Sequence, residues 1–267
     1  MHLIPTDLDA RARWAGRLRR GAVLAVILGA WEGYARWLAS PLVLPAASAV
    51  ARALVREMIS GEILARVAVS LEVLVVGFGI GAALAALLAT LASTTRLGAD
   101  VLTLLTATMN PLPAIALLPV ALLWFGIGTP SLLFVIVHAV LWPMALSAHA
   151  GFSAVSPTLR RVGRSLGLRG PGLAVRILLP AAFPQVLSGL RVGWAFAWRT
   201  LIAAELVFGV SSGSGGLGWF IYEKKNQLDM PEVFAGLLAV VVIGLGVESG
   251  VFAPLEARTV RRWGMAA

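Results

Sequence analysis

Six long apolar runs limit what this chain can fold into more than any other feature of its sequence. The hydrocarbon core of a bilayer is about 30 Å thick, and a helix of roughly 20 apolar residues crosses it. The runs therefore predict an all-α polytopic membrane protein with six transmembrane helices. The predicted spans are residues 21–37, 67–91, 101–125, 131–152, 185–210 and 233–254.

The composition excludes a globule that faces water on all sides. Of the 267 residues, 59% are hydrophobic and only 13% are charged, and the mean hydropathy is +0.88. A soluble domain must cover its surface with charged side chains, whereas a chain surrounded by lipid needs them only in loops and ends. Soluble enzymes and free-standing DNA-binding domains are thereby excluded. The lack of cysteine also excludes disulfides, thiol catalysis and cysteine-ligated metals.

The arginines predict how the chain is oriented, because loops that stay in the cytoplasm keep positive charge. They crowd four segments: Arg11, Arg13, Arg17, Arg19 and Arg20; Arg96; Arg160, Arg161, Arg164, Arg169 and Arg176; Arg258, Arg261 and Arg262. The opposite connections, 126–130 and 222–232, are uncharged or nearly balanced. Both termini are therefore predicted to be cytoplasmic. Residues 1–20 form a basic N-terminal segment and residues 21–267 one transmembrane domain, so the net charge of +9 requires no nucleic acid.

A short amphipathic helix is predicted between the first two spans. In residues 45–63, Val50, Leu54 and Met58 follow one another at four-residue steps beside charged side chains. This pattern is typical of a helix that lies on the outer membrane surface.

The longest cytoplasmic connection, residues 151–184, combines positive charge with a regular apolar pattern. It contains five arginines and no acidic residue, together with many leucines, glycines and prolines. Short helices broken at Gly170-Pro171-Gly172 would present the apolar side chains to a soluble partner or to the membrane underside. A docking element and an interfacial loop are both compatible with this pattern.

The same connection resembles the signature of binding-protein-dependent ABC importer permeases. That signature is Glu-Ala-Ala, three residues, Gly, nine residues, Ile, one residue, Leu-Pro, and this chain has Gly167, Ile177 and Leu179-Pro180 at those positions. The first three residues of the signature differ, because Arg161-Val162-Gly163 stands where the family has Glu-Ala-Ala. The resemblance implies an ATPase-coupling role for Arg161, Gly163, Leu166, Gly167, Leu168, Ile177, Leu179 and Pro180.

Further segments resemble the nitrate, sulfonate and taurine subgroup of these permeases. They are residues 110–114, 123–128, 187–191, 200–206 and 214–218. The resemblance implies the type I permease bundle of six helices, with a cytoplasmic coupling helix. It also implies a second permease subunit, two cytosolic ABC ATPases and a periplasmic or lipid-anchored substrate-binding protein, with ATP and Mg²⁺ held by the ATPases and no cofactor by this chain.

Nucleotide-binding motifs do not support a nucleotide site in the chain itself. The P-loop pattern G-x-x-x-x-G-K-[ST] is absent from the sequence. Residues 213–218 satisfy G-x-G-x-x-G, but a dinucleotide site needs a preceding strand and a following helix. A flexible turn on the outer side is therefore predicted there.

A break in the third span is the first candidate for the substrate pathway. Pro111 and Pro113 remove backbone donors beside Asn110, so the helix is expected to kink or unwind there. Irregular backbone at membrane depth is tolerated where protein or a water-lined cavity surrounds it. A packing kink and a pathway-lining break both fit.

Polar groups inside the predicted spans supply the other pathway candidates. Arg199 offers a forked set of donors suited to a carboxylate, sulfonate or nitrate, with Trp198 beside it; pairing with Glu72, Glu248 or helix ends is the alternative. Glu205 lies on a different face of the same helix, where it is expected to be satisfied structurally. His138 and Trp142, one turn apart in the fourth span, are further candidates.

The sequence therefore predicts a transport subunit rather than an enzyme: the permease of an ATP-driven importer for a small anion, working by alternating access. An ATP-independent carrier or channel is the alternative, although such carriers usually show internal repeats, which this sequence lacks. A third interpretation, an intramembrane enzyme, is disfavoured, because the three scattered histidines have no metal-ligand spacing. The substrate and the choice between homodimer and heterodimer stay open.

Overall fold

Every regular element of the computed structural model, which describes residues 7–208 and 215–261, is a helix. The first half contains α1 (Asp7–Leu38), α2 (Ala47–Ile59), α3 (Glu62–Thr94), α4 (Arg96–Met109), a 3₁₀ turn (Ala114–Leu117), α5 (Leu118–Phe125) and α6 (Thr129–Ala154). The second half contains α7 (Pro157–Ser165), α8 (Gly170–Leu173), α9 (Leu179–Ala181), α10 (Phe183–Phe208), α11 (Leu217–Asn226), α12 (Met230–Val247) and α13 (Ala253–Glu256). Turns of π-helix occupy Ala174–Leu178, Glu248–Phe252 and Ala257–Arg261. The all-α prediction is confirmed for the described residues.

Three helices of the described residues are long and apolar enough to cross a membrane: Glu62–Thr94, Thr129–Ala154 and Met230–Val260. Two bent pairs qualify if each counts as one span. They are Arg96–Met109 with Ala114–Phe125, bent by 86°, and Gly170–Ala181 with Phe183–Val207, bent by 85°. The count is thus three to five by length and composition, and α1, which holds the first predicted span, is not among them. Six spans stay a prediction.

The core lies between α3, α6 and α10, and small residues bring α3 against α6. Gly77, Gly81, Ala85 and Ala89 recur at four-residue steps and are all buried. A Cβ atom on Gly77 would lie 2.7 Å from Ile136 Cγ2, and one on Gly81 would lie 2.8 Å from Val140 Cβ. Without a hydrophobic driving force inside lipid, membrane helices associate through such close contacts. We call this stripe the small-residue seam.

The predicted outer helix exists as α2, but its buried face is shifted. Val50 and Ala53 are buried, whereas Met58 is 48% exposed. Glu57 takes the position that Met58 was expected to hold, and Arg56 donates to its Oε1 at 3.3 Å. Burial raises the pKa of Glu57 above its ordinary value, while Arg56 opposes that shift. Arg56 also pairs with Glu232 at the start of α12, which ties α2 to the bundle.

Candidate functional site

A cavity of about 480 Å³ opens at the break between α4 and α5. It is enclosed by the irregular residues after α4, by one face of α6 and by the C-terminal half of α10. Its lining residues are Asn110, Pro111, Leu112, Pro113, Ala114, Ile115, His138, Ala139, Trp142, Pro143, Phe196, Arg199, Thr200 and Ala203. Six of the eight predicted pathway residues therefore meet in one place, from three separate parts of the chain. We call this space the outer cavity.

Arg199 is the only ionised side chain among the described residues that line the outer cavity. Its Nε donates to the Ala195 carbonyl at 2.9 Å, and its guanidinium carbon lies 5.1 Å from the centre of the Phe196 ring. The described ion pairs of arginine are made by Arg36, Arg56, Arg66 and Arg191. No described carboxylate therefore neutralises Arg199, and its four terminal N–H groups are available to an anion.

His138 and Trp142 add polar nitrogens to the same wall. Their rings lie in an edge-to-face arrangement with centroids 6.0 Å apart. Both ring nitrogens of His138 and the Nε1 of Trp142 are buried, and none has a hydrogen-bond partner among the described residues. Buried polar groups are nearly always hydrogen-bonded in folded proteins. These groups therefore favour a polar ligand at this wall.

The helix break supplies the opposite wall through backbone. Pro111 has no N–H, so it cannot donate to the carbonyl of Ala107 one turn earlier. The segment Ala114–Phe125, which contains α5, is bent by 86° relative to α4. The Asn110 N–H still reaches the Thr106 carbonyl at 3.1 Å, so α4 remains regular up to the break. Of the two predicted outcomes, a kink or local unwinding, the structure shows unwinding, because the helix is interrupted between Met109 and Ala114.

Trp198 and Glu205 lie outside the outer cavity. Trp198 is 5% exposed and donates from Nε1 to the Val240 carbonyl at 3.2 Å, so it packs α10 on α12 and does not flank a ligand at Arg199. Glu205 is 1% exposed. Its Oε2 accepts from the Gly218 N–H at 2.8 Å, and both of its oxygens lie 2.9 Å from Ser70 Oγ. Its described contacts are those of a structural carboxylate.

The expected flexible turn at 213–218 is wrong for residues 217 and 218, whereas Gly215 and Gly216 are non-helical. Leu217 begins α11 and is fully buried, and its N–H donates to Ser70 Oγ at 2.8 Å. Gly218 is held by Glu205. Gly213 and Ser214 lie outside the described residues.

Residues 157–181, here called the coupling segment, contain all eight predicted ATPase-coupling residues. Ser156 caps α7 by accepting the Leu159 N–H at 3.3 Å, and Pro157 fits the first turn because its missing N–H is not needed there. Gly163 is buried beneath α8: a Cβ there would lie 2.7 Å from Leu173 and 3.0 Å from Ile177. The other seven, Arg161, Leu166, Gly167, Leu168, Ile177, Leu179 and Pro180, are exposed or half-buried.

Gly167 ends α7 in a Schellman motif. The Leu168 N–H donates to the Gly163 carbonyl at 3.1 Å, and the Gly167 N–H donates to the Arg164 carbonyl at 3.0 Å. This geometry requires the left-handed φ of +79° that Gly167 adopts. The break in the coupling segment therefore falls at 166–169. The predicted break at Gly170-Pro171-Gly172 is wrong, because those residues form the first turn of α8, where proline is tolerated.

The cavity, the coupling segment and the helical core lie within a region that matches a known family. Residues 77–251 match the family described as a binding-protein-dependent transport system inner membrane component. The chain belongs to this family. It is an ABC transporter permease of the nitrate, sulfonate and taurine subgroup, and a multi-pass membrane protein.

Relatives of the permease support the subgroup. Over 141 residues it is 36% identical to the taurine transport system permease protein TauC of Escherichia coli, covering 53% of this chain and 50% of TauC. Over 146 residues it is 32% identical to the nitrate import permease protein NrtB of Synechocystis sp., covering 55% of this chain and 52% of NrtB. Over 169 residues it is 28% identical to the putative aliphatic sulfonates transport permease protein SsuC of Escherichia coli, covering 63% of this chain and 62% of SsuC. The matches to TauC and NrtB span about half the length of those proteins.

Sequence reasoning missed several residues of the permease site. Phe196 and Thr200 line the outer cavity beside Arg199, and a helical wheel of residues 185–210 places them one turn or less from it. Ser70 carried no sequence signal that would pair it with Glu205 across the chain. The described residues contain no group of three or more His, Asp or Glu side chains that could hold a metal ion.

Proposed function

We propose that this permease forms the membrane pathway of an ATP-driven importer for a small anion and that Arg199 in the outer cavity binds the anion in transit. Two permease subunits, two cytosolic ABC ATPases that bind Mg-ATP, and an extracytoplasmic binding protein make up the importer. The subunits lie in a bacterial inner membrane with both termini in the cytoplasm. Residues 21–267 act as one transmembrane domain behind the basic segment 1–20, and ATP hydrolysis takes place on the ATPases.

The unpaired guanidinium of Arg199 is the observation that carries this proposal. An arginine inside a membrane protein costs at least about 2.5 kcal/mol unless it has a partner or a function. Its described partners are a carbonyl and an aromatic ring, neither of which neutralises it. The names of the relatives, which specify taurine, nitrate and aliphatic sulfonates, all denote solutes that carry an anionic oxygen group.

The contacts of the coupling segment provide a route from an ATPase to the cavity. Arg160 on α7 donates to the carbonyls of Phe152 and Val155 at the end of α6. Leu178 is fully buried in a cluster with Phe152 and Ala182, where α6 meets the start of α10. Both α6 and α10 line the outer cavity. A displacement of α7 by ATPase closure therefore reaches both walls, which is the motion that alternating access requires.

The exposed surface of α7 suits an acidic partner. Arg161 and Arg164 are exposed, and Leu166 is 72% exposed beside them. Arg161 stands where the family signature has an acid, so the ATPase that fits this permease should offer a carboxylate at the facing position.

The experiment is uptake by the reconstituted importer. The permease is co-expressed with candidate ATPases, the complex is placed in proteoliposomes with its binding protein, and ATP hydrolysis and uptake of labelled taurine, nitrate and ethanesulfonate are measured. ATP-dependent uptake is expected for at least one anion. Uptake without ATP or ATPase would instead establish the carrier alternative.

Two variants, each with a matched control, test the roles assigned to Arg199 and to the coupling segment. Loss of a charge-assisted hydrogen bond predicts that Arg199→Gln raises the KM for uptake about tenfold or more, whereas Arg52→Gln, an exposed outer arginine, leaves it unchanged. Leu166→Asp is expected to abolish ATPase stimulation by the binding protein. Leu228→Asp changes a similarly exposed leucine on the side of the bundle opposite the coupling segment and should preserve stimulation. Its φ of +61° is one that aspartate tolerates. An unchanged KM in Arg199→Gln would remove the arginine from the anion pathway.

A further inference from the structure

A second cavity of about 300 Å³ lies next to the outer cavity. Its lining residues are Leu102, Thr103, Thr106, Ala107, Asn110, Leu146 and His149. Asn110 lines both cavities, so they meet at the break after α4. We call the second space the inner cavity.

The two cavities follow one face of α6. His138 and Trp142 line the outer cavity, and Leu146 and His149 line the inner cavity. These four residues recur at steps of four, four and three, which is one helical face. His138 and His149 are about 16 Å apart along the axis at 1.5 Å per residue. The series therefore runs through about half of a bilayer core.

The inner cavity lies on the side that the arginine pattern assigns to the cytoplasm. Thr103 and Thr106 are in the helix that begins at Arg96, and His149 is near the end of α6, just before the arginine-rich coupling segment. A solute that leaves Arg199 toward the cytoplasm would therefore meet the inner cavity next.

The chemistry of the two cavities differs in a way that suits their order. The outer cavity has the Arg199 cation and unpartnered nitrogens on His138 and Trp142. The described lining of the inner cavity contains no cation or carboxylate, and the side chains of Thr103, Thr106 and His149 already have contacts. The Thr103 hydroxyl donates to the Ala99 carbonyl at 2.8 Å, and His149 Nδ1 lies 3.4 Å from Ser93 Oγ. A threonine hydroxyl has a single O–H, so an anion can draw a hydrogen bond from these residues only by displacing a backbone carbonyl, and it is therefore held weakly.

We propose that the inner cavity is a low-affinity release subsite, through which the anion passes after leaving Arg199; this inference rests on the proposed function. A transport pathway must bind its solute strongly enough to admit it and weakly enough to let it go. Arg199 serves the first requirement. Thr103, Thr106, Asn110 and His149 serve the second, since they supply polar contacts without a fixed charge.

Thiol labelling tests whether the inner cavity is an aqueous part of the pathway. The chain has no cysteine, so Thr103→Cys and Leu104→Cys each place one thiol on α4, the first in the cavity lining and the second at a 65% exposed position outside it. A methanethiosulfonate that carries a sulfonate group is applied to inside-out membrane vesicles. Because only the thiolate reacts, Thr103→Cys is expected to react about tenfold faster or more than Leu104→Cys. Equal rates would overturn the proposal, and this readout needs no ATPase.

Charge placement tests the release role itself. Thr103→Lys introduces a cation into the inner cavity and is expected to retain the anion, lowering the maximal uptake rate severalfold without raising KM. Thr108→Lys is the matched control, because Thr108 lies on the same helix with a hydroxyl bonded to Leu104 but lines neither cavity. Equal maximal rates in the two variants would contradict a release subsite. Failure of the unmodified importer to take up any anion would instead contradict the proposed function.

Discussion

Ser70 Oγ lies 2.9 Å from Glu205 and accepts the Leu217 N–H at 2.8 Å, so one serine links α3, α10 and α11. The carboxylate is also held by the Gly218 N–H at 2.8 Å. A buried acid is expensive unless its oxygens accept hydrogen bonds, and here donors from two other helices supply them. The C-terminal end of α10, where Glu205 lies two residues beyond the cavity-lining residue Ala203, is thus fixed by hydrogen bonds inside an apolar bundle.

Ser70→Ala is expected to lower the stability of the permease by about 1–3 kcal/mol. The change removes a donor from Glu205 and leaves the Leu217 N–H buried without an acceptor, which costs the desolvation of both groups. Thermal unfolding in detergent, followed by tryptophan fluorescence, measures the shift. Ser249→Ala is the control, since its exposed hydroxyl donates only within its own helix. Equal midpoints for the two variants would contradict a stabilising role for Ser70.

Gly218→Ala should be destabilising for a steric reason. The added Cβ would lie 2.6 Å from Glu205 Cβ and 2.7 Å from the Ile202 carbonyl oxygen, so α11 would have to move away from α10. Overpacking of this kind typically costs about 1–3 kcal/mol. Gly246→Ala makes the same change where nothing lies within 4 Å and should be neutral or slightly stabilising. The two midpoints are compared in one fluorescence assay, and equal midpoints would show that α11 is not tightly packed there.

Gly167→Ala is expected to weaken coupling more than folding. Alanine in the left-handed conformation costs about 1–2 kcal/mol, which destabilises the end of α7 and redirects Leu168. Hydrogen exchange of residues 157–165 should accelerate, and stimulation of the ATPase by the binding protein should fall. Gly172→Ala, in the same segment but with open space around it, should preserve both. Normal stimulation in Gly167→Ala would mean that the Schellman motif is dispensable.

Trp198→Phe is expected to cost about 1 kcal/mol, the net contribution of a typical hydrogen bond, because the Val240 carbonyl loses its indole donor. Trp194→Phe is the matched change, since Trp194 Nε1 has no described hydrogen-bond partner. The Trp194→Phe variant should lose less stability than Trp198→Phe, as long as the new ring keeps the edge-to-face contact with Phe78. The midpoints of thermal unfolding of the two variants are measured side by side. A lower midpoint for Trp194→Phe than for Trp198→Phe would contradict the prediction.

The long apolar runs predicted most of the helical framework because the bilayer fixes the length of a spanning helix. Predicted span 131–152 corresponds to α6, and span 67–91 lies inside α3. The prolines at 111 and 113 correctly located the break in the third span. Its 86° turn could not be predicted, because the angle depends on what packs against the two halves.

Local chemistry and tertiary contacts explain the remaining differences. The break of the coupling segment was misplaced because a glycine can end one helix while a nearby Gly-Pro-Gly begins the next. Trp198 was placed beside Arg199 from adjacency in sequence, although consecutive residues on a helix point about 100° apart. The inner cavity was missed because Thr103, Thr106 and His149 carry no motif, and only the crossing of α4 and α6 brings them together.

The small-residue seam has a mechanical consequence for transport. Where glycine and alanine replace longer side chains, Ile136 and Val140 of α6 pack directly on the backbone of α3, and a slide of one helix along the other would break this close packing. Any rearrangement of the bundle must then move the two helices as one rigid body, which α7 contacts through the hydrogen bonds of Arg160 to the end of α6. The interruption after Asn110 breaks the helical hydrogen-bond ladder between α4 and α5, so these two helices are not bound to move as one body.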